Sequence, residues 1–124
     1  MPDLMTSVVH IVEDDDAVRD SLRLLLRSHG LTVRDFDSAA TFLADADNTA
    51  CDCFLFDYNM PGMTGLELLE ILRADGVNGP AILISAYPQA IPQDRVVRAS
   101  VFALLSKSAT DRELTSTIAL ALKT

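Results

Sequence analysis

The sequence is short of positive charge: ten lysines and arginines stand against eighteen aspartates and glutamates, for a formal net charge of −8. Such a chain lacks the basic face that grips nucleic acid or an anionic membrane, and it suits divalent cations or basic partners instead. It also lacks any apolar run near the roughly 18 residues of a membrane span. Its opening, MPDLMTSVV, has neither the charged nor the apolar region of a signal peptide, so the reading is a cytoplasmic chain. Cysteine is scarce. Cys51 and Cys53 stand two apart, too few and too close for a disulfide framework, and no further ligands suggest a metal site. They read as small hydrophobes on one face of a strand. No low-complexity segment, repeat or linker divides the chain, and 124 residues at 49% hydrophobic fit one domain over 1–124, with no output domain in this chain.

What is present is a strict alternation of short β-rich runs and longer helical ones. SVVHIV (7–12) is nearly all apolar and β-branched, as a parallel strand covered on both faces should be. A helix follows with Val18, Leu22, Leu25 and Leu26 on one face and Gly30 placed to stop it. LTVRDF (31–36) predicts a more polar edge strand, and SAATFLADA (38–46) a helix capped by Ser38. CFLFD (53–57) predicts a third strand, NMPGMTG (59–65) a loop, and LELLEILRAD (66–75) a strongly apolar helix. AILIS (81–85), QDRVVRA (93–99), VFALLS (101–106) and DRELTSTIALAL (111–122) complete five βα units, the last helix carrying Leu114, Ile118 and Leu122 on one face behind Asp111. Alternation of this kind predicts an α/β fold, a parallel sheet with right-handed crossovers and helices on both faces. The functional crevice of such a sheet lies beyond the carboxyl ends of its strands.

The residues at those ends are chemically lopsided. Four acids, Glu13, Asp14, Asp15 and Asp16, follow the first strand; Asp57 ends the third, Ser85 the fourth, and Lys107 follows the fifth. Two carboxylates about 4 Å apart repel by roughly 4 kcal/mol at an effective dielectric of about 20, so either one acid holds a proton or a cation sits among them. Magnesium or manganese suits the second option, because it takes oxygen ligands from one or two carboxylates plus a phosphoryl group. Asp57 could then act as a nucleophile toward phosphorus, with metal, lysine and hydroxyl neutralising the transferring oxygens. Each residue also has a plain reading: Asp15 and Asp16 as cap and first-turn acids of the first helix, Asp57 and Ser85 as turn residues, Lys107 as a solvated lysine. Four such accidents at four strand ends are improbable together. His10 reads as a packed or edge residue of its strand, and His29 as a residue favourably placed for the dipole near a helix end.

VVHIVEDDDAVR, LFDYNMPGMTGLELL, ILIS and the lysine of LLSK resemble a two-component response-regulator receiver domain of the FixJ-like kind, over Val8 to about Leu122. The resemblance implies a flavodoxin-like doubly wound (βα)5 fold with sheet order 2-1-3-4-5. It further implies that Asp57 is the phosphoacceptor and that Asp14, Asp57 and the backbone carbonyl of Asn59 hold Mg2+, with Glu13 acting through water. Ser85 matches the switch hydroxyl and Lys107 the phosphate-contacting lysine. Asn59 and Tyr87, two residues beyond Asp57 and Ser85, occupy positions that tune phosphoryl lifetime, Tyr87 being equally readable as a loop aromatic without kinetic effect. The implied partner is a sensor histidine kinase, with room for a homodimer on phosphorylation and for a covalent DNA-binding output domain outside this chain.

Several positions depart from the family pattern. Ser108 follows Lys107 where proline is usual, so a trans peptide is expected there, non-proline cis bonds costing about 2.5–4 kcal/mol. Leu104 replaces the usual switch aromatic, Ser100 stands where glycine is common, and Pro88 and Pro92 predict a fourth helix that begins late. The expected function is a phosphorylation-controlled signalling switch, serving transcription regulation, and not a turnover enzyme. The alternatives are a degenerate receiver acting as an interaction scaffold and a haloacid-dehalogenase-type phosphatase, which wants an aspartate where Asn59 stands.

Overall fold

The computed structural model describes residues 7–123; the first six residues, on which part of the leader argument rests, lie outside the described residues. The strands are β1 (Val8–Val12), β2 (Thr32–Phe36), β3 (Cys53–Asp57), β4 (Ala81–Ser85) and β5 (Ala103–Ser106). The helices are α1 (Asp16–Ser28), α2 (Ala39–Ala44), α3 (Gly65–Ala74), α4 (Gln93–Arg98) and α5 (Asp111–Leu122). All strand pairings are parallel and the sheet order is 2-1-3-4-5. In strand order the chain moves outward from β1 in both directions, which opens a crevice where β1 and β3 diverge to opposite sides. Asp57 and the acids after β1 flank that crevice.

Two apolar layers hold the helices. Phe54, Phe56, Val12 and Leu83 on one sheet face pack against Phe42 of α2 and Leu66, Leu69 and Leu72 of α3. Val9, Ile11, Leu55 and Ile82 on the other face meet Leu26 of α1 and Leu114, Ile118 and Ala121 of α5. Phe42 lies edge-on to three other phenylalanines, 5.1 Å from Phe36, 6.2 Å from Phe54 and 5.4 Å from Phe56. Such pairs add about 0.5–1.5 kcal/mol each beyond area burial. His10 belongs to this cluster: its ring is wholly buried beside Phe36 and Phe42, and Nδ1 lies 2.7 Å from the Asn48 carbonyl. A carbonyl can only accept, so Nδ1 carries the proton. Burial holds this imidazole below its ordinary pKa. His29, exposed, places its own Nδ1 3.1 Å from the Leu25 carbonyl at the end of α1.

Three sequence expectations shift. Cys53 packs with the α1/α5 layer while Cys51, preceding the strand, packs with the other, so the two do not share a face. Val18 is 37% exposed, because it borders a groove between α1 and α5 rather than the core. The 38–46 helix ends early at Ala44, where Asp45 turns its side chain to Arg34 of β2. The fourth helix does begin late: Pro92 is its N-cap, and a short 3-10 turn over Pro88–Ala90 takes up the preceding chain.

Helices α1, α3 and α4 end alike. The amide of Gly30 donates to the Arg27 carbonyl and that of Leu31 to Leu26; Gly76 and Val77 repeat the pattern on Arg73 and Leu72, Ser100 and Val101 on Val97 and Val96. This pairing requires a left-handed residue after the cap. Gly30 and Gly76 supply it at φ 83° and 84°, whereas Ser100 is held at φ 53°. A non-glycine residue there costs about 1–2 kcal/mol, against roughly 0.5–1 kcal/mol of extra chain entropy for glycine. Ser100→Gly is therefore expected to stabilise the domain by about 0.5 kcal/mol, read as a higher urea midpoint at unchanged slope.

Candidate functional site

The acid run after β1 divides by role. Glu13 continues the strand's pairing, its amide donating to the Phe36 carbonyl, and the residue is 2% exposed. Its Oε2 accepts the Asp15 amide at 3.1 Å. Asp14 is exposed, while Asp15 caps α1 by accepting the Val18 amide at 3.0 Å. Asp16 opens the helix and pairs with Arg19. Glu13, Asp14 and, from the end of β3, Asp57 each offer an oxygen within 4.8 Å of the others.

Asp57 is 3% exposed. Its Oδ1 accepts the Asn59 amide at 3.2 Å and lies 3.3 Å from Lys107 Nζ, which is also 3.8 Å from Glu13 Oε1. Its Oδ2 is buried with no protein partner. An orphaned buried acceptor costs about 1–3 kcal/mol, and more when charged. The electrostatics follow from this crowding. Burial first, and the neighbouring Asp57 carboxylate against the pull of the Asp15 amide and Lys107, push Glu13 up to about 8. Burial also raises Asp57, opposed by the neighbouring Glu13 carboxyl and by Lys107. Burial pulls Lys107 down, but the charges of Asp57 and Glu13 outweigh it and hold the ammonium above its ordinary value. With protein groups alone, a proton on Glu13 relieves the cluster; a divalent cation would do so while satisfying the orphaned oxygen. The residues therefore fit a hard oxygen-ligated ion.

Ser85 ends β4, 1% exposed, its Oγ accepting the Tyr87 amide at 3.1 Å and its carbonyl accepting the Lys107 amide at 2.9 Å. The side chains of Tyr87, 68% exposed, and Asn59 lie at the surface. Leu104 packs partly buried against the α2/α3 layer. The Lys107–Ser108 peptide is trans, and the loop is shaped instead by the Ser108 amide and hydroxyl bonding Ser106 Oγ at 3.1 and 2.8 Å. This turn delivers the lysine without proline. Two contributors escaped the sequence reading. The Arg19 guanidinium donates to the Glu13 carbonyl at 2.9 Å, a contact signalled only by a basic residue one turn into α1. Gly65, read as loop, opens α3 hard against β3: a Cβ there would stand 2.4 Å from the Asp57 carbonyl oxygen.

A doubly wound domain with an acid cluster, a hydroxyl and a lysine at its strand ends is the class that fold and site define. The family model described as response regulator receiver domain matches residues 9–119, and the chain belongs to that family. Such domains are the phosphorylation-controlled switches of two-component systems. The chain is 37% identical over 117 residues to the response regulator protein TodT of Pseudomonas putida, covering 94% of this chain and 52% of TodT. It is 44% identical over 79 residues to the transcriptional regulatory protein FixJ of Azorhizobium caulinodans, covering 64% of this chain and 37% of FixJ. Among solved structures it resembles FixJ-N, with TM-score 0.83 and 32% identity over 99% of this chain and 96% of that one. It also resembles the response regulator StyR, with TM-score 0.86 and 35% identity over 95% and 60% of the two chains. The chain spans about half the length of TodT. These matches favour neither the scaffold nor the phosphatase alternative. Among the described residues no helix is long and apolar enough to cross a membrane.

Two outcomes are expected of this geometry. Gly65→Ala must displace the end of β3 and is expected to cost about 1–3 kcal/mol in chemical denaturation, the range for overpacking. Millimolar Mg2+ should raise the melting temperature of the wild type in proportion to binding; Asp14→Asn should melt higher than wild type without metal and respond less to it, by calorimetry.

Proposed function

We propose that Asp57 accepts a phosphoryl group from the phosphohistidine of a sensor histidine kinase and that the resulting aspartyl phosphate switches this domain between partner-binding states. The observation that carries this reading is the asymmetry of the Asp57 carboxylate: Oδ1 is fixed by the Asn59 amide and Lys107, while Oδ2 is buried and unpartnered. One oxygen is oriented by the protein, and the other has no protein partner and is open to a ligand from outside the chain. The new bond joins a carboxylate oxygen to phosphorus as the phosphorus–nitrogen bond of the donor breaks, and the imidazole leaves with the electron pair. Mg2+ or Mn2+, held by Asp14, Asp57 and the Asn59 carbonyl with Glu13 acting through water, would supply charge neutralisation for the transferring oxygens.

Lys107 already reaches Asp57 Oδ1 and supports the same role from the opposite strand. Ser85 Oγ accepts from the Tyr87 amide, so its own proton is free to be donated to a phosphoryl oxygen. With Leu104 in place of an aromatic, that hydroxyl's movement has no ring to draw inward. Asn59 and Tyr87, two residues beyond Asp57 and Ser85 and both exposed, would govern water's approach to the acyl phosphate. Control of transcription is in keeping with the name of FixJ, a transcriptional regulatory protein; homodimerisation on phosphorylation and a covalent DNA-binding domain outside this chain belong to the same proposal. The domain is a stoichiometric acceptor rather than a turnover enzyme, works without contacting nucleic acid itself, and belongs in the cytoplasm.

The test is incubation with Mg2+ and acetyl phosphate followed by intact-mass spectrometry. A single phosphoryl adduct is expected on the wild type and none on Asp57→Ala; no adduct on the wild type, or equal labelling of the variant, overturns the reading.

A further inference from the structure

We infer that Arg19 is a positioning residue for the divalent cation, setting the shape of the acid loop from the far side of the chain. The inference rests on the metal site proposed above. Arg19 lies in the second turn of α1, its side chain only 15% exposed, and its guanidinium meets three acceptors from three places. One nitrogen donates to the Glu13 backbone carbonyl at 2.9 Å, a second pairs with Asp16 at 2.6 Å, and Nε lies 3.3 Å from Asp35 on β2. The first contact is the informative one. It fixes the peptide that joins Glu13 to Asp14, the two residues whose carboxylates enter the site, while the Glu13 carboxylate is itself turned by the Asp15 amide. Residues 13–16 are thus clamped at both carbonyl and amide, and Asp16 is held by Arg19.

Arg23, one turn further, provides an internal control. It shares Asp35 with Arg19, at 3.0 Å, and pairs with Asp20 at 2.8 Å, yet no contact joins it to the acid loop. Both arginines staple α1 to β2; Arg19 alone reaches Glu13. Electrostatics and positioning make opposite predictions here. Removing a positive charge near an anionic site would by itself tighten cation binding, whereas loosening the groups that orient ligands weakens it, typically ten- to a hundredfold. The planar fork suits three acceptors at fixed angles, and a lysine ammonium does not reproduce it.

The experiment titrates Mg2+ against two readouts for wild type, Arg19→Ala, Arg19→Lys and Arg23→Ala: melting temperature, and the extent of labelling by acetyl phosphate. For both Arg19 variants the Mg2+ concentration at half-effect is expected to rise on the order of tenfold, with labelling recovered at saturating Mg2+. Arg23→Ala should lower the metal-free melting temperature comparably and leave the Mg2+ midpoint unchanged. An unchanged or lower midpoint in Arg19→Ala and Arg19→Lys, or an equal rise in Arg23→Ala, overturns the inference. If the wild type itself shows no Mg2+ response, it is the underlying metal reading that fails.

Discussion

Everything at the carboxyl edge of this sheet answers to one electrostatic constraint: Glu13 and Asp57 are taken almost wholly out of water within a few ångströms of Asp14. Three carboxylates so placed cannot all be charged without help, since each pair costs about 3 kcal/mol at this separation and an effective dielectric of about 20. The protein supplies the help in instalments. Lys107 bridges Glu13 and Asp57, the Asp15 and Asn59 amides each take one carboxylate oxygen, and Arg19 neutralises the rear of the loop. These donors do not reach Asp57 Oδ2, and the deficit left there is one that a divalent cation would offset.

The fold can carry that deficit because its stability is banked elsewhere. The central strands β1, β3 and β4 are apolar on both faces, the phenylalanines interlock around Phe42, and α3 and α5 open with reciprocal caps, Thr64 with Glu67 and Thr110 with Glu113. Those caps satisfy orphan amides at the helix ends that border the site. Gly65 lets α3 start directly against the Asp57 carbonyl, so the strand end carrying the buried Asp57 carboxylate is buttressed by backbone on its far side.

What the sequence made legible was whatever depends on period and on strand ends. Alternating apolar runs locate all five strands, and their terminal residues name Glu13, Asp14, Asp57, Ser85 and Lys107 as neighbours before any coordinate is known. What stayed hidden depends on direction rather than position. The partition of Cys51 and Cys53 to opposite layers turns on the residue at which β3 begins, a boundary that composition does not mark. Arg19 looks like one of several arginines on an exposed helix face until α1 is docked on β2 and its guanidinium meets a backbone carbonyl. The Ser106–Ser108 turn is likewise invisible from a missing proline, which says only which geometry is lost and nothing of the hydrogen bonds that replace it.

The most lightly anchored element of the fold is α4. Helix α4 has six residues, none buried, and an N-cap proline that offers no side-chain bond to its amides. Its C-terminal end is held by Arg73, whose guanidinium donates to the carbonyls of Ala99 and Ser100, and its middle by the Arg95–Glu70 pair, both partners over a third exposed and so worth little. Its N-terminal end follows a 3-10 turn that begins at Tyr87, the residue whose amide is bonded to Ser85 Oγ. Local opening costs least where few apolar contacts must break. The N-terminal end of α4 is thus joined through this turn to the residue bonded to Ser85 Oγ, and its C-terminal end is joined to α3 through Arg73.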